Sequence, residues 1–581
     1  GVEVGTIKAW EICERRRIPR IFFVTNMDSP NAKYMETVEQ LKEHFGKKVA
    51  PFHLPILEND KLTGYVNVVK MGGRKFLDDA GNYTERDIPD SVKPKLEPVR
   101  EQLMEAVAES DEELMDKYFA GEEFTYEEIS KALRKSVISC DIVPVQIGSG
   151  VSCQGVNSFL QTCEKYFPSA DKAEVLKKAT NVDTGEEVVA DFDCNKPVSA
   201  YVFKTIMDPF VGKYSLVKVR TGILKAGDTV YNATKDVEEK LAKLYVMRGK
   251  NVIEVDRLYS GDIGAIGKLA STRTGDTLST RQWPIEYHPT TMSKPYTYMA
   301  YRAVNKGDED KMAQALTKLC IEDLTLKTVS DEENRQSLIY GIGEQQLQIV
   351  ASKLEDRYKV KVELTKPRIA FRETIRKKAQ VQGKHKKQSG GHGQYGDVVM
   401  EFEPSGDLSK PYIFEEKIFG GAVPKNFFPA VEKGLQECVK AGPLAGYPVV
   451  GVKATLTDGS YHPVDSSEMA FKMATIIAFK KGFLEAGPVL LEPIALLSVT
   501  APDKYSGDIM GDLNKRRGRI LNMTPKDGKQ LIEAEVPMLE LYGYSTSLRS
   551  ITGGSGEFEY VVSRYEQAPP DVQEKQIQDN A

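Results

Sequence analysis

Two apolar runs, each breaking off at a cluster of small polar residues, constrain the N-terminal part of the chain most: PRIFFVTNMD at 19–28 and DIVPVQIGSG at 141–150. Runs of this kind are buried parallel strands, and open α/β sheets bind ligands at the carboxyl ends of such strands. About 120 residues separate the two runs, far more than the dozen or so that one crossover requires. An inserted subdomain of mixed structure is therefore expected over roughly 46–140. Residues 1–20 read as a helix feeding the first strand. The chain opens on Gly1 rather than Met, so a domain beginning there is expected to have an earlier piece.

The texture then changes. YSLVKVRTGILKAGDTVYN alternates apolar and polar residues around Gly-Asp turns, which predicts a small antiparallel barrel. Residues 295–370 alternate strand and helix as a ferredoxin-like sandwich, with Met312, Leu316, Leu319 and Cys320 on one helix stripe and Leu347, Val350, Ala351 and Leu354 on the other. A Gly-rich, basic start followed by mixed structure fills 371–485, and 486–570 reads as a second sandwich. The polar tail 571–581 shows no periodicity and is expected to fray. The fold class is thus multidomain α/β and β. Its expected pieces are an α/β part at 1–180, a barrel at 185–290, and three domains between 295 and 570.

Composition excludes several functions. No run is long enough to span a bilayer and no signal peptide is visible, so a soluble cytoplasmic protein with no membrane partner is expected. Seven scattered Cys without Cys-x-x-Cys spacing read as free thiols in a reducing compartment. There is no His-Glu-x-x-His, and no metal site is expected. The net charge of -5 hides local basic clusters. Arg368 to Lys387 holds eight Lys or Arg against one acid, Glu373, and NKRRGR follows at 514–519. Both lie near Gly-rich turns, where phosphate contacts are favoured.

Four stretches carry a resemblance: QSGGHGQYGDV at 388–398, GGAVPKNFFPAVEKG at 420–434, DGSYHPVDSSEMAFK at 458–472 and GDIMGDLNKRRGRI at 507–520. In order and spacing they resemble the bacterial elongation factor G family, translational GTPases that move tRNA and mRNA through the ribosome. The resemblance runs from the first residue to about Pro569 and takes in the barrel and GEQQLQIVASKLEDRYKVKVELTKPRIAFRETI. It implies a tRNA-mimicking fourth domain with an RNA-contacting tip, two ferredoxin-like sandwiches around it, and a guanine-reading site at the strand ends. That loop is normally Asn-Lys-x-Asp. Here it is Thr25, Asn26, Met27 and Asp28.

Asp28 can accept two hydrogen bonds from guanine N1–H and N2–H, a pair adenine does not offer. Ser149 and Gly150 would present backbone N–H groups to the guanine oxygen. Replacing the family's Lys by Asn26 removes a stem that packs on the base, a loss of about 1 kcal/mol or more. No phosphate loop is found in the sequence, and in the family that loop and both switches precede the helix near Gly5. No catalytic residue is therefore assigned, and this chain is expected to be inactive alone. GTP and Mg2+ are implied for the full-length protein.

The implied RNA-facing residues are His462 with Ser460 and Asp465 at the tip, Lys384, Lys386, Lys387, His392 and Gln394 in the glycine-rich stretch, and Arg516 and Arg517. The implied partners are the ribosome, with its RNA, mRNA and tRNA at the decoding site, and the protein is expected to be a monomer off the ribosome. The family commonly has Asp at Pro463, and GEQQLQI departs from Gly-Glu-Leu-His-Leu at Gln345 and Gln346, which marks a divergent paralogue. The function implied is tRNA–mRNA translocation. Alternatives are a ribosome-recycling or ribosome-protection GTPase, the large insertion counting against the tetracycline-protection type, or a ribosome-binding tRNA mimic without productive hydrolysis.

Overall fold

Phe22–Val24 and Val143–Ile147 lie side by side as parallel strands, in the register Phe22↔Val145 and Val24↔Ile147. Their polar loops therefore leave the same edge of the sheet. The structure is a computed structural model, which describes residues 1–581 apart from 60, 173–176, 209–211, 250, 389–392, 527 and 581. The chain divides into two compact units, Gly1–Thr291 and Met292–Ala581.

In the first unit all five residues of Val143–Ile147 are buried, as a strand covered on both faces requires. Val49–Pro51, inside the expected insertion, pairs in parallel with the other side of this strand (Val49↔Val143, Pro51↔Val145). The insertion thus begins later than 46. It consists of an antiparallel meander, His53–Glu58, Lys61–Asn67, Gly72–Phe76 and Tyr83–Arg86, and the helices Lys93–Ala108, Glu112–Ala120 and Tyr126–Ile138. Its packing is not separate either. Tyr65, Val66, Leu103 and Leu133 share one apolar cluster with Met27, Val145 and Ile147.

The alternating segment forms an eight-stranded antiparallel sheet built on Ser199–Asp208 and Gly212–Thr221. Val202, Val217, Val219, Leu244 and Ile266 form its core. Lys177–Asn181, Glu187–Ala190 and Ile285–Tyr287 add a three-stranded sheet, so strand structure resumes at 177, before the expected 185.

The second unit opens with the four-stranded sheet and two helices of a sandwich, Glu309–Glu322 and Glu344–Tyr358. Gln346 is fully used here. Its Oε1 accepts Ile342 N–H at 2.8 Å, and its Nε2 donates to Asp323 Oδ2 and Thr325 Oγ1, both at 2.8 Å. Next comes the sheet Ala379–Gln388, Gly393–Pro404, Val452–Ser460 and Tyr412–Glu416, the last pair parallel. Helices Phe428–Cys438 and Glu468–Glu485 supply Val431, Leu435, Phe471 and Phe479 to its core.

Arg372–Ile375, at the start of the expected fourth domain, pairs with the long strand Pro488–Ala501 of the C-terminal sheet, and its Glu373 also bridges Val449. One expectation changes in the second unit. The tail is not frayed but forms helix Pro570–Asn580. Val572 and Ile577 pack near Phe371 and Leu490. Gln573 Oε1 accepts Leu490 N–H at 3.0 Å, while its Nε2 donates to Ala568 O at 2.7 Å. Two apolar residues in eleven are too few for periodicity to show.

Candidate functional site

The first candidate site lies at the ends of the two parallel strands. Met27 is buried and pins the loop, while Thr25, Asn26 and Asp28 are exposed around it. Met27 N–H donates to Gly148 O at 3.2 Å, and Gly148 N–H to Val24 O at 3.0 Å, so the two loops are laced together. Asn26 has φ 58°, a left-handed conformation that Asn tolerates better than most residues. Among the described residues the Asp28 carboxylate has no hydrogen-bond or ion-pair partner, which leaves both oxygens open to a ligand.

The second loop corrects one expectation. Ser149 is buried, and its N–H donates to Gln154 O at 2.9 Å. Its Oγ accepts the amides of Val151 and Ser152, both at 3.2 Å. Ser149 therefore shapes the loop rather than presenting its own amide. Gly150 is exposed, and among the described residues its N–H has no partner, so it is the amide of the pair that a base oxygen can reach.

The second candidate site is the loop between strand Val452–Ser460 and helix Glu468–Glu485. Ser467 caps the helix, its Oγ accepting Ala470 N–H at 3.2 Å. His462 Nδ1 accepts the amides of Val464 at 3.3 Å and Asp465 at 3.2 Å, which leaves Nε2 to carry the proton of the neutral ring. The ring is half exposed, and Tyr461 and Val464 beside it are exposed too. Asp465 Oδ1 accepts Gly393 N–H at 3.1 Å, and its carbonyl accepts Tyr395 N–H at 2.8 Å. Ser460 Oγ donates to Asp397 Oδ2 and meets Tyr395 Oη, each at 2.7 Å. Ser460 and Asp465 thus tie the tip to the glycine-rich hairpin, and His462 is left facing outward.

That tie explains two glycines. A Cβ at Gly393 would stand 2.9 Å from the Asp465 carboxylate, and one at Gly396 would stand 2.3 Å from Ala470 O. The close approach these residues permit is to the protein itself, where phosphate approach was expected. His392, with Gly390 and Gly391, lies outside the described residues. Gln394 is exposed, its Oε1 3.0 Å from His385 Nε2.

The three lysines do not form one surface. Gly383 faces helix Glu468–Glu485, so alternation puts Lys387 on that side and Lys384 and Lys386 on the other. Lys384 Nζ lies 4.0 Å from the buried Asp397 carboxylate and over the Tyr395 ring at 5.4 Å. Among the described residues Lys386 and Lys387 make no ion pair. Asp397 escaped the sequence reading. Buried, and accepting from Gln382 Nε2 at 2.8 Å as well as from Ser460, it organises this corner. Its signal was an acid directly before the apolar run Val398–Met400.

Comparison with known proteins matches these regions in order. Family models match the Elongation factor Tu GTP binding domain over 1–169, Elongation factor G domain 2 over 197–281, domain III over 292–366, domain IV over 367–487 and the Elongation factor G C-terminus over 489–576. A solved structure from Thermus thermophilus is 35% identical, with a TM-score of 0.72 over 100% of this chain and 84% of that one. The chain belongs to the elongation factor G family of translational GTPases. The two strand-end loops fall in the first of these matches, and the tip and glycine-rich hairpin fall in domain IV of this family.

The elongation factor G C-terminal region holds Arg516 and Arg517, both expected to meet RNA. The structure turns them inward. Arg516 donates to Asp512 Oδ2 at 2.8 Å, Glu540 O at 2.5 Å and Ser547 Oγ at 2.7 Å. Arg517 makes a two-pronged pair with buried Glu492 at 2.7 and 2.9 Å and reaches Glu540 at 3.1 Å. These guanidiniums hold the C-terminal sandwich together and are left out of the RNA-facing set.

GTP and Mg2+ belong to the chemistry of this family. Among the described residues no three His, Cys, Asp or Glu gather into a cation site. The described residues offer no such cluster for Mg2+. Among the described residues, too, no helix is long and apolar enough to cross a membrane.

Proposed function

We propose that this protein promotes tRNA–mRNA translocation on the ribosome as a cytoplasmic, monomeric GTPase. One observation carries the reading: the tip loop presents His462 outward from a frame closed by Asp465, Gly393, Ser460 and Asp397. A flat ring with one N–H, beside the exposed phenol of Tyr461, suits stacking and hydrogen bonding against unpaired bases. Lys386 and Lys387, with Lys384 partly neutralised, add attraction to a phosphate backbone, and Gln394 lies beside them. The chain's own part in GTP binding is base selection, through the open Asp28 carboxylate and the Gly150 amide. Hydrolysis in such proteins needs a phosphate-loop Lys and a water-positioning group, and neither is assigned among these 581 residues.

The test separates movement from attachment. Single-turnover translocation and ribosome affinity are measured in parallel for His462→Ala. Slower movement at nearly unchanged affinity is expected, and an intact rate would overturn the reading. One observation favours a second reading, a ribosome-binding tRNA mimic without productive turnover. Thr25 and Asn26 stand exposed where the family carries Asn and Lys, and Asn26 lacks the stem that packs on a base. Ribosome-stimulated GTP hydrolysis decides between them.

A further inference from the structure

Arg74 sits on the inserted meander, only 7% exposed. It donates to Tyr65 Oη at 2.7 Å and stacks on Tyr83 at 4.2 Å, but among the described residues no carboxylate pairs with it. A buried cation without a counter-ion is costly, by several kcal/mol on general grounds. The pocket that Arg74 lines adds to the imbalance. Lys70 and Lys165 line it as well, both drawn over the Tyr126 ring, and not one Asp or Glu is among its walls. Burial, with the Arg74 charge nearby, pushes the adjoining His53 imidazole down to about 3, so it stays neutral.

The pocket is also built to bind something polar. Gln146, fully buried on strand Val143–Ile147, lines it. Its Nε2 donates to Thr162 Oγ1 at 2.5 Å, while its Oε1 has no partner. Among the described residues Thr162 keeps its hydroxyl hydrogen free to donate, while the Ser158 hydroxyl lies 3.3 Å from His53 Nε2. The cavity measures about 70 Å3, several times the roughly 10–15 Å3 that one water needs. Three cations, a hydroxyl donor and one orphan acceptor together match a tetrahedral oxyanion that still carries a proton.

We propose that this pocket, between the inserted meander and helix Val156–Tyr166, binds a phosphate group. Its charge would compensate Arg74, Lys165 and Lys70, and its P–O–H would donate to Gln146 Oε1. Phosphate is then preferred to sulfate, which has no proton at neutral pH. The group is free phosphate, which keeps a P–O–H in both of its charge forms at neutral pH, whereas a phosphomonoester, with a second pKa of about 6, is mostly without one.

Calorimetry on the 581-residue protein tests this with inorganic phosphate, glycerol 3-phosphate and sulfate at matched ionic strength. Binding of inorganic phosphate is expected, tighter than that of glycerol 3-phosphate or sulfate. Lys165→Met, at the mouth, should weaken it about tenfold, one charge-assisted hydrogen bond. Arg74→Met should abolish it, and if that variant does not fold, Lys165→Met carries the test. Tungstate soaked into crystals should place its density against Arg74 and Lys165. Undetectable binding of inorganic phosphate, affinity unchanged in Lys165→Met, or tungstate only elsewhere would overturn the proposal. Sulfate binding as tightly as phosphate would overturn the role given to Gln146.

Discussion

Asp465 accepts the amide hydrogen of Gly393 at 3.1 Å, joining two loops 72 residues apart in sequence. Asp465→Ala removes this bond and should cost about 1 kcal/mol locally. Hydrogen exchange at the Gly393 amide should rise by several-fold while exchange in helix Glu468–Glu485 stays as it was. Unchanged exchange at Gly393 would mean that the hairpin does not depend on this bond.

The split of the basic residues between two faces predicts unequal salt effects. Lys384→Ala with Lys386→Ala should lower the log–log salt slope of ribosome binding by about 1.4, at roughly 0.7 per phosphate for single strands. The single change Lys387→Ala should lower it by at most about 0.7 on the same scale. Equal slopes for wild type and double variant would remove these lysines from the interface.

Asp28→Asn replaces one carboxylate oxygen with an amide donor. It should relax the preference for GTP over ATP, because two acceptors are needed for N1–H and N2–H of guanine. Competition binding of the two nucleotides reads this directly, and an unchanged ratio would show that Asp28 is not the reader.

Arg517 pairs with Glu492, whose side chain is only 4% exposed. Arg517→Met strands that carboxylate and should cost about 3–5 kcal/mol. Adding Glu492→Gln should recover part of the loss. Urea unfolding of the single and double variants measures both, and additive losses would argue against a coupled pair.

Glu535 gives the C-terminal sheet a dependence on acid. Hydrogen bonds from Arg564 and then Arg519 hold its carboxyl at about 2, below the usual 4.5. The bound form is therefore the ionised one. Its stabilisation is complete above pH 4.5 and is lost as pH falls from there towards 2. Glu535→Gln should flatten this part of the curve of melting temperature against pH, and an unaltered slope would assign the acid sensitivity elsewhere.

What the sequence revealed, and what it hid, follows from where each partner lies. The two strand ends were legible because a parallel strand covered on both faces must be continuously apolar. Val49–Pro51 was hidden because three residues make no pattern. The tip was visible as a motif, but its frame was not, since Asp465 meets Gly393, and Ser460 meets Asp397, only after strand pairing. Arg516 and Arg517 looked like any basic cluster because their acids, at 492, 512 and 540, come together only in the folded sandwich. Ser149 misled for a similar reason, its amide being claimed by Gln154 within a loop that has no periodicity.

Ile375 lies opposite Pro488 in one antiparallel ladder. The chain therefore enters and leaves the tip-bearing stretch 376–487 at adjacent points of the same sheet. Topologically, that whole stretch is the loop of a hairpin. The mount is not independent of what it carries: Glu373, buried on that stem, accepts the amides of Leu444 at 2.9 Å, Ala445 at 2.8 Å and Tyr447 at 3.0 Å, all within the stretch. Cutting the stretch out would strand this carboxylate, so a foreign module spliced there must bring donors of its own.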